Sequence, residues 1–392
     1  MLRFRNLDFS RGGNIRWSSQ VLGDKPMARS QLIRAARIGA ITLSALLACL
    51  AVDVVWGRGS VDRGGVRSAE SHSMKPDCSN VRSRIDRLPL LFAELTTAFD
   101  SCESRNEADR RMADLLSDSR DGRLDRFTLF EAGLMVSGTI EKSDLVKYTT
   151  LHDGVVRSIA KNIARAADTR GADAIGPAEQ AELIHRYLHK HLFTGKYRVE
   201  VSEPGHVFES GDFNCVSATL LFCDICRRLG IECHIVHWPE HVACLVVTET
   251  GAVAIETTCP IWFTKCRDDV GKMAETRPRR SFAAHAGTAR RLTHAQLLGL
   301  IDYNRGVQHL NAKDHIAAMQ ASYRALQFHP ENKAAWNNFL AAVNNRAVVL
   351  CRTAAFEEAL ELLQRGQQVA PEYAGFRANR AYVWRCQKAA GA

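Results

Sequence analysis

At 392 residues the chain is too long for one ordinary core, and its length predicts about two folded domains with flanking segments. A composition of 46% hydrophobic and 24% charged residues excludes both a disordered chain and a multi-spanning membrane protein. The formal net charge of +9 is concentrated in two runs: eight Lys/Arg before residue 38, against Asp8 and Asp24, and Arg277, Arg279, Arg280, Arg290 and Arg291. No aromatic-interleaved signature accompanies them, so no nucleic acid is expected as partner.

The one long apolar stretch is Ile38 to Trp56, IGAITLSALLACLAVDVVW, interrupted only by Asp53. It just reaches the length of about 20 residues that a bilayer requires. Arg29, Arg34 and Arg37 precede it, so the positive-inside bias makes 1–37 a basic cytoplasmic tail and sends the body across. The expectation is a single-pass signal anchor at 38–56 in the cell membrane, with the C-terminal body extracytoplasmic. A cleaved signal peptide starting at Met27 and a lipoprotein signal at Leu46-Leu47-Ala48-Cys49 compete with it. Export would permit disulfides among the twelve cysteines, with Cys78 and Cys102, and Cys259 and Cys266, as candidate pairs.

Residues 57–80, rich in Gly, Ser and Arg, read as a linker. The region 81–174 is expected to be helical, with Leu90, Leu91, Leu95 and Phe99, then Leu115 and Leu116, at helical spacing, and a break at Asp121-Gly122. Pro177 to Phe193 is a stronger helix, with Leu183, Ile184, Tyr187, Leu188 and Leu192 in period and a proline at its start. Within 175–270 the period then changes. Val216 to Leu229 is an almost wholly apolar helix closed by Arg227, Arg228 and Gly230. Three strand-like runs follow, Ile231–Trp238, His241–Val247 and Ala252–Thr257, and helix followed by antiparallel strands predicts an α+β domain. A basic linker is expected at 271–292. From 293 to 392 the sequence is helical and repetitive: Gly306, Ala318, Ala325 and Pro330 fall at tetratricopeptide-repeat offsets, and Ala347, Ala359, Leu363 and Pro371 repeat them. The two prolines are 41 residues apart, seven more than the usual spacing, which an elongated helix of about two further turns would absorb. Arg377 to Gln387 would then cap the array.

Cys215 follows Asn214, a favourable helix cap, so it should open the Val216 helix where unpaired N–H groups and the dipole favour a thiolate. His241 opens the next strand but one. An even turn that pairs Val247 with Ala252 sets Ala243 opposite Glu256, and Glu256 then shares the face of His241 on the diagonal. A carboxylate there can accept the second imidazole N–H. The expected oxyanion hole includes the Cys215 N–H, with Asn214 or a residue near Phe213 as second donor.

Asn214-Cys215-Val216-Ser217-Ala218, Arg228-Leu229-Gly230-Ile231, Pro239-Glu240-His241-Val242 and Ile255-Glu256-Thr257-Thr258 together resemble the core of the transglutaminase-like superfamily of papain-like folds, over about residues 175–265. The repeats behind it are similar to those of bacterial transglutaminase-like proteins that carry tetratricopeptide units. The resemblance implies a helix-borne cysteine nucleophile, a strand-borne histidine base and an acid on the following strand, here Cys215, His241 and Glu256. It implies acyl transfer from a protein or peptide amide through a thioester, a protein partner on the repeats, and no cofactor. The family's acid is usually Asp, which leaves room for a second reading, a catalytically silent interaction module of the cell envelope. Cys223, Cys226, Cys233, His234 and His237 also resemble a zinc cluster, but core packing of the helix explains Cys223 and Cys226 more simply, and no metal is expected.

Overall fold

The computed structural model describes residues 78–95, 103–139, 141–170, 175–238, 240–249, 251–264 and 289–391. The expected anchor at 38–56, the tail before it, 57–77 of the expected linker, and Cys102 and Cys266 of the two candidate disulfides lie outside these residues, while 78–80 of that linker open the first helix. Among the described residues no helix is long and apolar enough to cross a membrane.

The described residues are mostly helical around one small antiparallel sheet. Helices α1 (Cys78–Asp86) and α2 (Leu88–Leu91) are followed by α3 (Glu103–Asp118), α4 (Leu129–Val136), the 29-residue α5 (Lys142–Arg170), α6 (Pro177–His191), α7 (Pro204–Ser210) and α8 (Cys215–Arg228). The strands are β1 (Cys233–Trp238), β2 (His241–Thr248), β3 (Gly251–Ile255) and β4 (Arg290–Leu292), in sheet order β3-β2-β1-β4. Helices α9 (His294–Asn311), α10 (His315–Phe328), α11 (Lys333–Arg352), α12 (Phe356–Val369) and α13 (Ala374–Ala390) complete the chain.

Two expectations are corrected. The basic linker ends early, because Arg290–Leu292 add to β1 as an edge strand, Val236 facing Arg291. Leu90, counted on an apolar helix face, is 84% exposed; Leu95 of the same set is buried, joined by Leu88 and Phe92, against α10–α13, with the Phe92 ring edge-on to Phe339.

The core is centred on α8. Leu220, Leu221, Phe222 and Ile225 are fully buried, between the sheet on one side and α4, α6 and α7 on the others. Helix α4 (LFEAGLMV) is capped by Thr128, which accepts from the Glu131 N–H, and buries seven of its eight residues. Its Gly133 lies so close to α8 that a Cβ there would come within 2.7 Å of Leu220 Cδ1. The same core continues into α9 through Leu297, Leu298 and Ile301 and into α10 through Phe328.

Beyond β4 the helices form two hairpins and a closing helix. Thr293 starts α9 with a capping box shared with Gln296. The expected extra turns fall within α11, which runs 20 residues against 14 for α10 and 14 for α12. Ala318, Ala325, Ala347, Ala359 and Leu363 are fully buried between neighbouring helices. Both hairpins turn through a left-handed residue that is not glycine, Lys313 (φ 63°) and Ala354 (φ 62°).

Candidate active site

Helix α8 begins at Cys215 because Asn214 is extended and caps it. The Asn214 Oδ1 accepts from the N–H groups of Val216 (2.8 Å) and Ser217 (3.0 Å), while Ser217 Oγ accepts from the Asn214 N–H (2.9 Å). The chain leading into the cap is pinned as well. Phe213 bridges Tyr197, with the Phe213 N–H donating to Lys196 O and the Arg198 N–H donating to Phe213 O. The Asp212 carboxylate accepts from the Lys196 N–H (2.7 Å) and pairs with Arg198 (2.6 Å), bonds that hold it below the usual carboxylate range. These contacts seat Tyr197 beside the thiol. Its hydroxyl hydrogen-bonds the side chain and the backbone of Cys215, and burial, then the cysteine's charge, push the phenol up. The cysteine itself is 8% exposed.

The base and acid come from the hairpin that follows. Strands β2 and β3 pair Val247 with Ala252 and Cys244 with Ile255, the register that sets Ala243 opposite Glu256. The His241 Nε2 lies 2.7 Å from Glu256 Oε2. The other carboxylate oxygen accepts from the Thr258 backbone N–H (3.1 Å) and hydroxyl (2.7 Å), so both Glu256 oxygens are engaged. With Nε2 committed to the acid, Nδ1 is the nitrogen left over, and the Cys215 side chain acts on the same imidazole. Burial opposes a charge on His241, but the bonds to Cys215 and Glu256 and their negative charges outweigh it and push the imidazole up to about 10. Burial likewise opposes the Glu256 charge, and the hydrogen bond and charge of His241 with the Thr258 donors reverse that, leaving the carboxyl below its ordinary value.

Two histidines one turn apart on α6 hold the acid's segment in place. The His185 Nε2 meets Glu256 O at 3.3 Å and the His189 Nε2 meets Thr257 O at 3.0 Å. Burial lowers both, His185 to about 4, so each is a neutral ring with its proton on Nε2. Across the site Thr219 of α8 bonds Val242 O (3.3 Å) and the Thr257 hydroxyl (3.1 Å), tying the helix of Cys215 to the strand of His241 and the loop after Glu256. The Trp238 ring lies 5.1 Å from the His241 ring.

Cys215, His241 and Glu256 are therefore brought together, and Asn214 takes another part. Its Nδ2 donates to Val199 O (2.9 Å) and Ser202 Oγ (2.7 Å), its N–H to Ser217, and it is 1% exposed. Every donor is spent inside the protein, so Asn214 builds the helix start and has none left for an oxyanion. The Ser202 hydroxyl also accepts from Asn304 Nδ2 of α9 (2.7 Å). Tyr197, His185 and His189 are the residues that sequence reasoning missed. For the histidines a signal existed, a pair spaced i, i+4 on an expected helix; for Tyr197 no local pattern marks it.

The arrangement can present a thiolate to a carbonyl carbon, return a proton from the imidazolium and hold the ring in one tautomer. Cys223 and Cys226, expected in the core, are buried farther along α8, where Cys233 and Cys244 join them; His234 turns instead to Glu232 (3.2 Å). Comparisons with protein-family models, curated proteins and solved structures gave no match.

Proposed function

We propose that the chain is a cysteine-dependent acyl-transfer enzyme of the transglutaminase-like, papain-like type, acting on protein or peptide amides through a thioester. The observation that carries this reading is the imidazole of His241 bonded at 2.7 Å to Glu256, with the thiol that opens α8 close enough to help hold the ring's charge. The Cys215 thiolate attacks the amide carbon, and the His241 imidazolium gives its proton to the leaving amine, forming the thioester. The imidazole, now neutral, takes a proton from the acceptor as it attacks, and collapse restores the thiolate and imidazolium. Water as acceptor gives hydrolysis or deamidation; a lysine amine gives a crosslink.

The oxyanion falls to the Cys215 N–H, which the Asn214 cap does not use and which an incoming carbonyl oxygen takes over from the Tyr197 hydroxyl, with that hydroxyl as second donor. Helices α9–α13 act as tetratricopeptide-like repeats for a protein partner, and residues 38–56 tether the body outside the cytoplasm. The low exposure of Cys215 under the Tyr197 hydroxyl favours the second reading, a silent interaction module, and one experiment separates the two. Iodoacetamide labelling of the full chain under reducing conditions, mapped by mass spectrometry, is expected to modify Cys215 ahead of every other thiol. His241→Ala should slow that reaction by about 10-fold or more. Labelling of Cys215 at the rate of an ordinary thiol, indifferent to His241, would leave the silent module in its place.

A further inference from the structure

Two turns along α8 from the nucleophile, four cysteines from three elements converge. Cys223 and Cys226 are spaced i, i+3 on α8, Cys233 is the first residue of β1 and Cys244 lies within β2. The β1–β2 register pairs Cys233 with Val246 and Ile235 with Cys244, so Cys233 and Cys244 are diagonal neighbours on the face that packs against α8. The Cys223 sulfur is 3.4 Å from that of Cys233 and 3.4 Å from that of Cys244, and the three sulfurs lie within 4.8 Å of one another. Cys226, one turn farther along α8, is the fourth thiol, and it and Cys233 influence one another electrostatically. Cys223, Cys226 and Cys244 are buried and Cys233 is half-buried.

Apolar packing accounts for two cysteines on a helix, but not for two more from the sheet aimed at the same point, where Ile235, Val246 and Ile255 already fill the face. We propose that Cys223, Cys226, Cys233 and Cys244 form a structural zinc site, binding one ion as a tetrathiolate. Zinc–sulfur bonds of about 2.3 Å put four sulfurs about 3.8 Å apart; Cys223, Cys233 and Cys244 are already near that spacing, and Cys226 reaches the fourth position by a change of side-chain rotamer on binding. Binding releases the four thiol protons, and the resulting double negative charge lies within electrostatic reach of His234 and His294, with Arg227 close to the latter. Four protein ligands leave no open position, so the ion holds structure and does no chemistry. It fastens the C-terminal half of α8 to the hairpin that carries His241. Cys233, the one ligand that reaches the surface, marks the entry path. The site shares no ligand with Cys215 and stands whether or not the thiol there is catalytic.

The test is metal analysis of the full chain purified under reducing conditions. About one zinc per chain is expected, kept in Cys215→Ala, with at least about 100-fold weaker binding in Cys233→Ser. Stripping with a chelator should lower the melting temperature of the wild type, and zinc alone should restore it. Cobalt(II) added to the stripped chain should give thiolate-to-metal charge-transfer bands and the intense visible bands of a tetrahedral site, a readout that needs no variant to fold. A wild-type chain that retains no zinc, takes up no cobalt and melts at one temperature with or without chelator would overturn the proposal. So would a mass lower by two hydrogens with a disulfide mapped within the four, or full zinc content in Cys233→Ser.

Discussion

A half-buried imidazole between a thiol and a carboxylate is held by interactions that depend on its own charge. His241, raised to about 10, contributes stability in full below its ordinary value near 6.5 and loses it as pH rises through about 10. Glu256 is depressed, so its share is present above its ordinary value near 4.5 and is lost as pH falls below it. The pair therefore stabilises most between about pH 4.5 and 6.5 and fades toward pH 10. Glu256→Gln should cost about 1–3 kcal/mol in that window, and the gap in melting temperature from the wild type should shrink at alkaline pH. In the variant the His241 ring, followed by NMR, should titrate at lower pH than in the wild type; an equal gap at every pH would contradict the pairing. This constellation was legible because helix caps and strand parity are local rules: Asn214 marks where α8 starts, and an even turn fixes which face Glu256 takes. The roles of Asn214 and Tyr197 were not legible. Whether an asparagine's amide faces a substrate or a serine twelve residues upstream depends on how the 195–203 loop folds back, and no local pattern encodes that.

At the scale of elements, apolar periodicity located α6, α8 and the three hairpin strands to within a few residues. It missed β4, whose three residues carry no alternation and are held by backbone bonding to β1 and by Leu292 against the core. It missed α7 too, a helix of seven residues and too short to display a period. The hairpin turns offer a test of the local physics. Both place a non-glycine residue in the left-handed region, at a cost of about 1–2 kcal/mol each. The first hairpin offsets part of it, since Asp314 caps α10 by accepting from the Ala317 N–H, while Ala355 gives α12 no side-chain cap. Ala354→Gly should thus raise stability by about 1 kcal/mol, and Ala355→Asp by a similar amount. Thermal melts of each variant check this, and a lower midpoint for Ala354→Gly would contradict the strain assigned to that turn.

For the whole molecule, sequence periodicity suggested separate units, yet the described residues fall in one compact unit with a core running from Leu115 through α8 to Phe328. Composition shifts betray linkers but not what packs across them: α1 and α2 cross over to α10–α13, and Arg365 donates to Leu91 O at 3.3 Å. The described body should therefore melt in a single calorimetric transition. A chain ended at residue 292 would strip Leu297, Leu298, Ile301 and Phe328 from that core and should lose cooperative melting altogether. Two resolved transitions in the full chain, or a sharp transition in the shortened one, would count against a shared core.

The Ser202 hydroxyl accepts one amide hydrogen bond from Asn214, at the head of α8, and another from Asn304, in α9. One oxygen thus serves as the keystone of two structures that sequence assigns to different modules. Grafting the helical hairpins onto another protein, or exchanging them for a foreign array, would pull a donor from that oxygen and loosen the very loop that presents Tyr197. A chimaera that keeps the reactive thiol in order has to carry the 195–217 segment and α9 together, as a single inherited piece.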